Sequence, residues 1–174
     1  MTMTDEQLRI RGYLQAQSAK LSPAELVDKV CGAMGQLRGS AMGVPAARFN
    51  ERPAADEWSA NEVMAHVVTA GARFAERITG VLDGGSPGAA VADVLERGVP
   101  EQTAEQWWSV FAQAREALFV RILRADPTEH PERVIEHGFF GLLSWRETLL
   151  FLRLHDLDHA GQLDKISAAL EAQR

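Results

Sequence analysis

The chain has 174 residues, of which 46% are hydrophobic and 24% are charged, and its formal net charge is −6. This balance is typical of one soluble globular domain, which we expect to span residues 1–174. The acidic charge, the absence of a Lys/Arg cluster and the lack of a long apolar run argue against nucleic acid and membranes as partners.

A repeated start signal predicts five helices along the chain. Ser or Thr is followed three residues later by Glu or Gln, and such a capping box satisfies backbone N–H groups at a helix N-terminus. The signal occurs at Thr4–Gln7, Ser22–Glu25, Ser59–Glu62, Thr103–Gln106 and Ser144–Glu147. The apolar period after each signal predicts helices over about 5–19, 23–39, 60–82, 104–125 and 144–170.

The segments between these helices are interpreted as loops over 41–57, 83–102 and 125–143. They are rich in Gly and Pro, and no proline interrupts a proposed helix interior. No β-alternation of useful length is present. We therefore predict an all-α fold, a four-helix bundle with a short extra N-terminal helix, in which the long connections allow a non-neighbouring topology.

Cysteine usage and the N-terminus bear on the compartment. Cys31 is the only cysteine, and the first residues lack the basic and apolar parts of a secretory signal. We therefore expect a cytoplasmic protein without an intrachain disulfide. Cys31 is interpreted as a small apolar residue within a helix.

Three histidines fall on the apolar faces of predicted helices. His155 and His159 are four residues apart, so they lie one turn apart on one face of the last helix, and His66 lies within the apolar stripe of the third. Inward imidazoles need polar partners, which can be a carbonyl, a carboxylate or a metal ion. Three neutral imidazoles with one open position are typical of a catalytic metal site, where a bound water or thiol is activated.

Polar residues near these histidines have competing explanations. Asp158 either orients a histidine or accepts a proton in the pocket, or it is a solvated carboxylate. Gln162, three residues after His159, can hydrogen-bond a ligand at the site. Glu62 is better explained as the capping partner of Ser59 than as a catalytic base.

Two further histidines, His130 and His137, lie in the connection 125–143, flanked by polar residues and glycine. We expect both to be solvent-exposed. Phe139 and Phe140 in the same connection are expected to pack on the bundle. No nucleophile elbow, phosphate loop or dinucleotide fingerprint competes with the histidine site.

Three motifs, in chain order, resemble the DinB/YfiT-like superfamily. They are Trp58-Ser59-x-x-Glu62-x-x-x-His66-Val67-Val68, His137-Gly138-x-x-Gly141-x-Leu143-Ser144-x-x-Glu147 and His155-Asp156-x-Asp158-His159-x-Gly161-Gln162. The resemblance implies a four-helix bundle of up-down-down-up topology. It also implies a divalent metal, zinc or nickel, on a histidine triad that maps onto His66, His155 and His159.

The same resemblance implies an activity and an assembly. Relatives resembling this pattern include bacillithiol transferases and a mycothiol-dependent maleylpyruvate isomerase, and homodimers are common among them. The residue before the last histidine is often also histidine in that superfamily, whereas here it is Asp158. Our leading hypothesis is a metal-dependent enzyme that uses mycothiol or bacillithiol on a small electrophilic substrate. The alternatives are a metal-dependent hydrolase with Asp158 as base, and a non-catalytic bundle that binds a small ligand or metal.

Overall fold

The computed structural model describes residues 3–85, 98–126, 128, 130 and 132–173. Its helices are α1 (Asp5–Ser18), α2 (Pro23–Gly43), α3 (Ala60–Leu82), α4 (Ala104–Ile122) and α5 (Trp145–Ala172), with a 3₁₀ turn at Ala46–Arg48. Two short strands, β1 (Ile135–His137) and β2 (Gly141–Leu143), form an antiparallel hairpin. Within these residues, no helix combines the length and the apolar character needed to cross a membrane.

Every predicted helix begins where its capping box indicates. At each start the Ser or Thr side chain accepts a hydrogen bond from the backbone N–H three residues on, and the Glu or Gln at that position accepts one from the cap's own N–H. The five boxes are therefore confirmed. Each contributes about 1 kcal/mol to the stability of its helix, because these N–H groups have no partner within the helix itself.

The four long helices form a bundle in which α2 and α3 each pack against both α4 and α5. Sequence neighbours α2 and α3 therefore lie on a diagonal of the bundle, as do α4 and α5. Apolar side chains from all four helices fill the space between them. Helix α1 lies outside this arrangement and packs along α5. The all-α bundle with an extra N-terminal helix is thus confirmed.

Contacts along α2 and α5 show that these two helices run parallel. The Leu21 carbonyl, just before α2, accepts a hydrogen bond from Arg146 at the start of α5. The Gly43 carbonyl, at the end of α2, accepts one from Ser167 near the end of α5 at 3.1 Å. The start of α2 therefore lies near the start of α5, and the end of α2 lies near the end of α5.

Helix α3 runs antiparallel to α5, because His66 in its first half contacts His159 whereas Phe74 further along contacts the earlier residue Phe151. Helices α3 and α4 run parallel. Their starts are joined by a hydrogen bond of 2.7 Å from Trp107 Nε1 to Asn61 Oδ1, and their ends by an ion pair of Arg121 with Asp83 at 2.8 Å. The directions of α2 to α5 are thus up, down, down and up.

The hairpin differs from the loop expected over 125–143. Three-residue strands are too short to display an alternating pattern, so the sequence carries no strand signal there. Gly141 has φ +69°, a conformation that favours glycine, and it closes the turn between the strands. Phe140 is buried as expected, but the expectation for Phe139 is wrong, since its side chain is half exposed.

Two further expectations need correction. Helix α2 continues to Gly43 rather than ending near residue 39, because Ala41 extends its buried face. Cys31 lies within α2, but on its exposed side, so it does not serve as an apolar packing residue. The loop expected over 83–102 is only partly visible, since residues 86–97 lie outside the described part of the chain.

Candidate metal centre

The site is built by two antiparallel helices of the bundle. His66 lies in the second turn of α3, and His155 and His159 lie one turn apart in the middle of α5. Their neighbours on the same helix faces are apolar core residues, so the helical period turns all three rings inward. The three residues are only 7–8% exposed.

The three imidazole rings converge on one point. Nε2 of His155 lies 3.3 Å from Nε2 of His66, and the ring centroids of the three histidines are 4.4–5.3 Å apart. One nitrogen from each ring can be chosen so that all three lie within 4.8 Å of one another. The structure therefore brings the three predicted ligands together, although they come from distant parts of the chain.

Gln162 defines which nitrogen His159 offers to this point. Its side-chain oxygen Oε1 lies 2.9 Å from Nδ1 of His159. An amide oxygen only accepts, so Nδ1 carries the proton and the lone pair of the neutral ring is left on Nε2. From its spacing, Gln162 is predicted to hydrogen-bond a ligand at the site. In the structure this oxygen bonds a histidine, and the binding role remains a prediction.

The electrostatics of the site keep His159 neutral. Burial, and then the neighbouring His155, lower the pKa of His159 from 6.5 to about 4, although the hydrogen bond to Gln162 acts in the opposite direction. The ring is therefore uncharged at neutral pH. A neutral imidazole is the form that binds a metal ion, so no proton has to be removed first.

The donor set fits a divalent transition metal. Imidazole nitrogens suit zinc and nickel, and zinc is bound by histidine at about 2.0–2.1 Å in tetrahedral geometry. Two nitrogens on such an ion lie roughly 3.3 Å apart, which matches the separation of His66 and His155. Without an ion the same pair can share one hydrogen bond. The 3.3 Å separation therefore fits either a shared hydrogen bond or a shared metal ion, and the third imidazole nearby favours the ion.

A buried ion pair that is not predicted from the sequence lies next to His155. Nη2 of Arg115 on α4 lies 2.9 and 3.2 Å from the two carboxylate oxygens of Asp156, and both residues are almost completely inaccessible. Burial lowers the pKa of Arg115, and Asp156 opposes that change. The only sequence signal for this pair is the position of Asp156 directly after His155, because Arg115 is 41 residues away.

The other polar residues near the triad have separate positions. Asp158 is exposed, on the outer side of α5. Glu62 accepts hydrogen bonds from Ser59 and Arg52, so the structure supports its interpretation as a capping residue. Burial alone would raise the pKa of Glu62, but Arg52 and the Ser59 backbone N–H outweigh it and lower that pKa.

The expectation that His137 is solvent-exposed is wrong. The residue is 5% exposed, because β1 places its ring among Phe74, Phe140 and Phe151, with centroid distances of 5.5, 4.9 and 4.3 Å. Its Nδ1 accepts a hydrogen bond from the backbone N–H of Phe139 at 3.1 Å. His137 thus belongs to an aromatic cluster rather than to the triad. His130 is intermediate, with a side chain 30% exposed.

A cavity of about 430 Å³ is lined by two residues that contact the triad, although none of the three histidines is among its lining residues. The Trp58 ring on its wall lies 5.4 Å from that of His66, and Gln162 on the same wall bonds His159. The remaining lining residues are Glu57, Lys165, Ile166 and Ala169. Small-molecule sites are concave, partly apolar and of this size. The cavity therefore offers a small molecule a place next to Trp58 and Gln162, the two lining residues that contact the triad.

Comparisons with known proteins identify the family of this chain. No curated protein matches it significantly. The family model described as the DinB superfamily matches residues 34–163, a range that includes all three histidines of the triad and most of the bundle. The chain therefore belongs to the DinB superfamily.

Proposed function

We propose that this protein binds a divalent metal ion through His66, His155 and His159 and uses it in thiol-dependent transfer to a small electrophile. The observation that carries the proposal is the convergence of three buried imidazoles from two helices. Membership of the DinB superfamily supports it, because the matched range 34–163 includes all three histidines. The thiol would be a low-molecular-weight one of the mycothiol or bacillithiol class.

A bound ion and the protein side chains would have different chemical roles. A bound divalent ion acts as a Lewis acid that favours the deprotonated form of a thiol or water. Gln162 holds the His159 proton on Nδ1 and so keeps Nε2 available. Trp58 lies against His66 and presents an apolar face to a substrate in the cavity. In the transfer itself, the thiol gives its proton to solvent, the sulfur electron pair forms a bond to the electrophilic carbon, and the leaving group departs with the electron pair of its broken bond to that carbon.

A hydrolase is the second candidate, and Asp158 is the observation that favours it. Its carboxylate is close enough to His159 to raise that residue's pKa slightly against the larger effects of burial. In this reaction Asp158, which is exposed to solvent on the outer side of α5, would accept the proton of the attacking water. Thiol transfer does not require this base, so Asp158→Asn separates the two reactions.

Metal content tests the first half of the proposal. The protein, purified without a histidine tag, is expected to contain close to one zinc or nickel ion per chain by elemental analysis. His66→Ala and His159→Ala are expected to abolish that content. His130→Ala is the matched control, because it removes a histidine outside the triad. Unchanged metal content in the two triad variants would contradict the proposal.

Product analysis tests the second half. The metal-loaded protein is incubated with mycothiol, bacillithiol, glutathione or cysteine and a panel of electrophiles, and conjugates are identified by mass spectrometry. We expect metal-dependent conjugates that persist in Asp158→Asn. Ester or amide hydrolysis that is lost in Asp158→Asn would instead identify the hydrolase. Metal binding without any product would identify a non-catalytic binding protein.

A further inference from the structure

A buried chain of polar side chains leads from α4 to the triad. Arg115 holds both carboxylate oxygens of Asp156, and Oδ1 of Asp156 lies 3.7 Å from Nδ1 of His155. The opposite nitrogen of the same ring, Nε2, lies 3.3 Å from His66. One edge of His155 therefore faces the triad and the other faces a carboxylate.

Nδ1 of His155 is buried and has no hydrogen-bond partner among the residues that the structure describes. An unpaired polar atom in a low-dielectric interior is costly, so a nearby acceptor is favoured as its partner. Asp156 is the carboxylate beside it. A shift of roughly 0.7 Å brings the two atoms into the normal range of an N–H···O bond.

Arg115 explains how a carboxylate with no solvent exposure is kept in place. Asp156 is 0% exposed, so its carboxylate needs a polar partner inside the protein. The guanidinium supplies the counter-charge and is itself stacked over Phe111, with 4.9 Å from its central carbon to the ring centroid. The pair therefore delivers a negatively charged acceptor to the back of His155.

We propose that Asp156, held by Arg115, is a positioning residue that fixes the proton of His155 on Nδ1 and directs its Nε2 lone pair at the metal. Gln162 makes the corresponding bond to His159, so the two ligands on α5 would be oriented by neighbours on the same helix. Carboxylates behind metal-binding histidines raise the basicity of the ring and tune affinity. This inference rests on the proposed metal site.

The main test removes the pair without leaving a buried charge. Arg115→Met combined with Asp156→Leu replaces both side chains by apolar groups of similar volume, an exchange that buried ion pairs commonly tolerate. Zinc affinity is measured by competition with a chromophoric chelator, and the visible spectrum is recorded with cobalt in place of zinc. We expect zinc to bind about 10- to 100-fold more weakly, with a shifted cobalt spectrum.

Thr148→Val is the matched structural control. Thr148 is buried on the same helix, and its hydroxyl donates to the Ser144 carbonyl at 2.8 Å, away from the triad. The variant is expected to lose stability and to keep wild-type zinc affinity. A double variant that folds and binds zinc like the wild type, with the same cobalt spectrum, would overturn the inference while leaving the proposed metal site intact. A wild type without zinc binding would overturn both.

A measurement on the wild-type protein needs no variant to fold. In the zinc-loaded protein labelled with ¹⁵N-histidine, long-range proton–nitrogen correlations report which ring nitrogen carries the proton. We expect His155 to be protonated at Nδ1, with an exchange-protected proton, and coordinated through Nε2. Coordination of His155 through Nδ1 would overturn the inference.

Discussion

His137 and the three histidines of the triad are all less than a tenth exposed, but their environments differ. His137 is surrounded by phenylalanine rings, and its Nδ1 accepts a hydrogen bond from the backbone of Phe139. In the triad, nitrogens from three rings approach one another. Burial alone therefore does not identify a metal ligand. The convergence of several nitrogens on one point is the additional feature that a metal site requires, because one ion binds several nitrogens at once.

The expected effect that most directly separates the two environments concerns the triad. Zinc at about 100 times its Kd stabilises a protein with one native-state site by about 2.7 kcal/mol. We expect this gain in the wild type and in His137→Ala, and its loss in His66→Ala and His159→Ala, measured by chemical denaturation with and without zinc. Retention of the gain in either triad variant would remove the distinction between the two environments.

The aromatic cluster is expected to show the opposite behaviour. His137→Ala removes a buried ring from among Phe74, Phe140 and Phe151 and leaves a cavity, which should lower the free energy of unfolding by about 3–4 kcal/mol. His137→Phe, which keeps the ring volume, should lose less. Denaturation in the absence of metal measures both. A zinc stoichiometry that falls in these variants would connect His137 with the site after all.

Lowering the pH should destabilise the metal-free protein through His159 of the triad. The pKa of His159 is about 4 in the folded state and 6.5 as the reference for the unfolded state, so between these values only the unfolded chain takes up the proton. Its contribution to stability is present above pH 6.5 and is lost as the pH falls towards 4, in total about 3 kcal/mol. Denaturation series at several pH values should show a smaller loss in His159→Gln. An identical slope would contradict the depressed pKa.

The smallest expected effect concerns the orientation of His159. Gln162→Leu removes the acceptor of its Nδ1 proton and keeps the side-chain volume, so zinc affinity should fall about 10-fold, the lower end of the range for such contacts. Asp164→Asn, a change to an exposed residue on the same helix, is the control. Chelator competition measures both. An unchanged affinity in Gln162→Leu would mean that packing alone orients His159.

Local signals account for what could be predicted. A capping box lies within four consecutive residues, so the start at Ser59 is readable without knowledge of the fold. The inward direction of His66, His155 and His159 follows from the helical period of their apolar neighbours. Their meeting was supported by the need of buried imidazoles for partners, and by the resemblance to a known superfamily.

Contacts between distant segments account for what was missed. His137 looked exposed because its sequence neighbours are polar or glycine, whereas its burial depends on Phe74 and Phe151 from two helices. The sequence around Arg115 does not indicate its role, because its partner Asp156 lies 41 residues away on another helix. The hydrogen bond between Gln162 and His159 is not predicted from the sequence, because it depends on side-chain geometry that spacing does not define.

By itself, the sequence determined the helices, their starting residues and the three histidines that face inward, since capping and periodicity act between residues a few positions apart. Only the tertiary structure decided the hairpin, the aromatic environment of His137, the cavity beside Trp58 and the Arg115–Asp156 pair. These features depend on packing between elements far apart in the chain, and no pattern of near neighbours encodes such contacts.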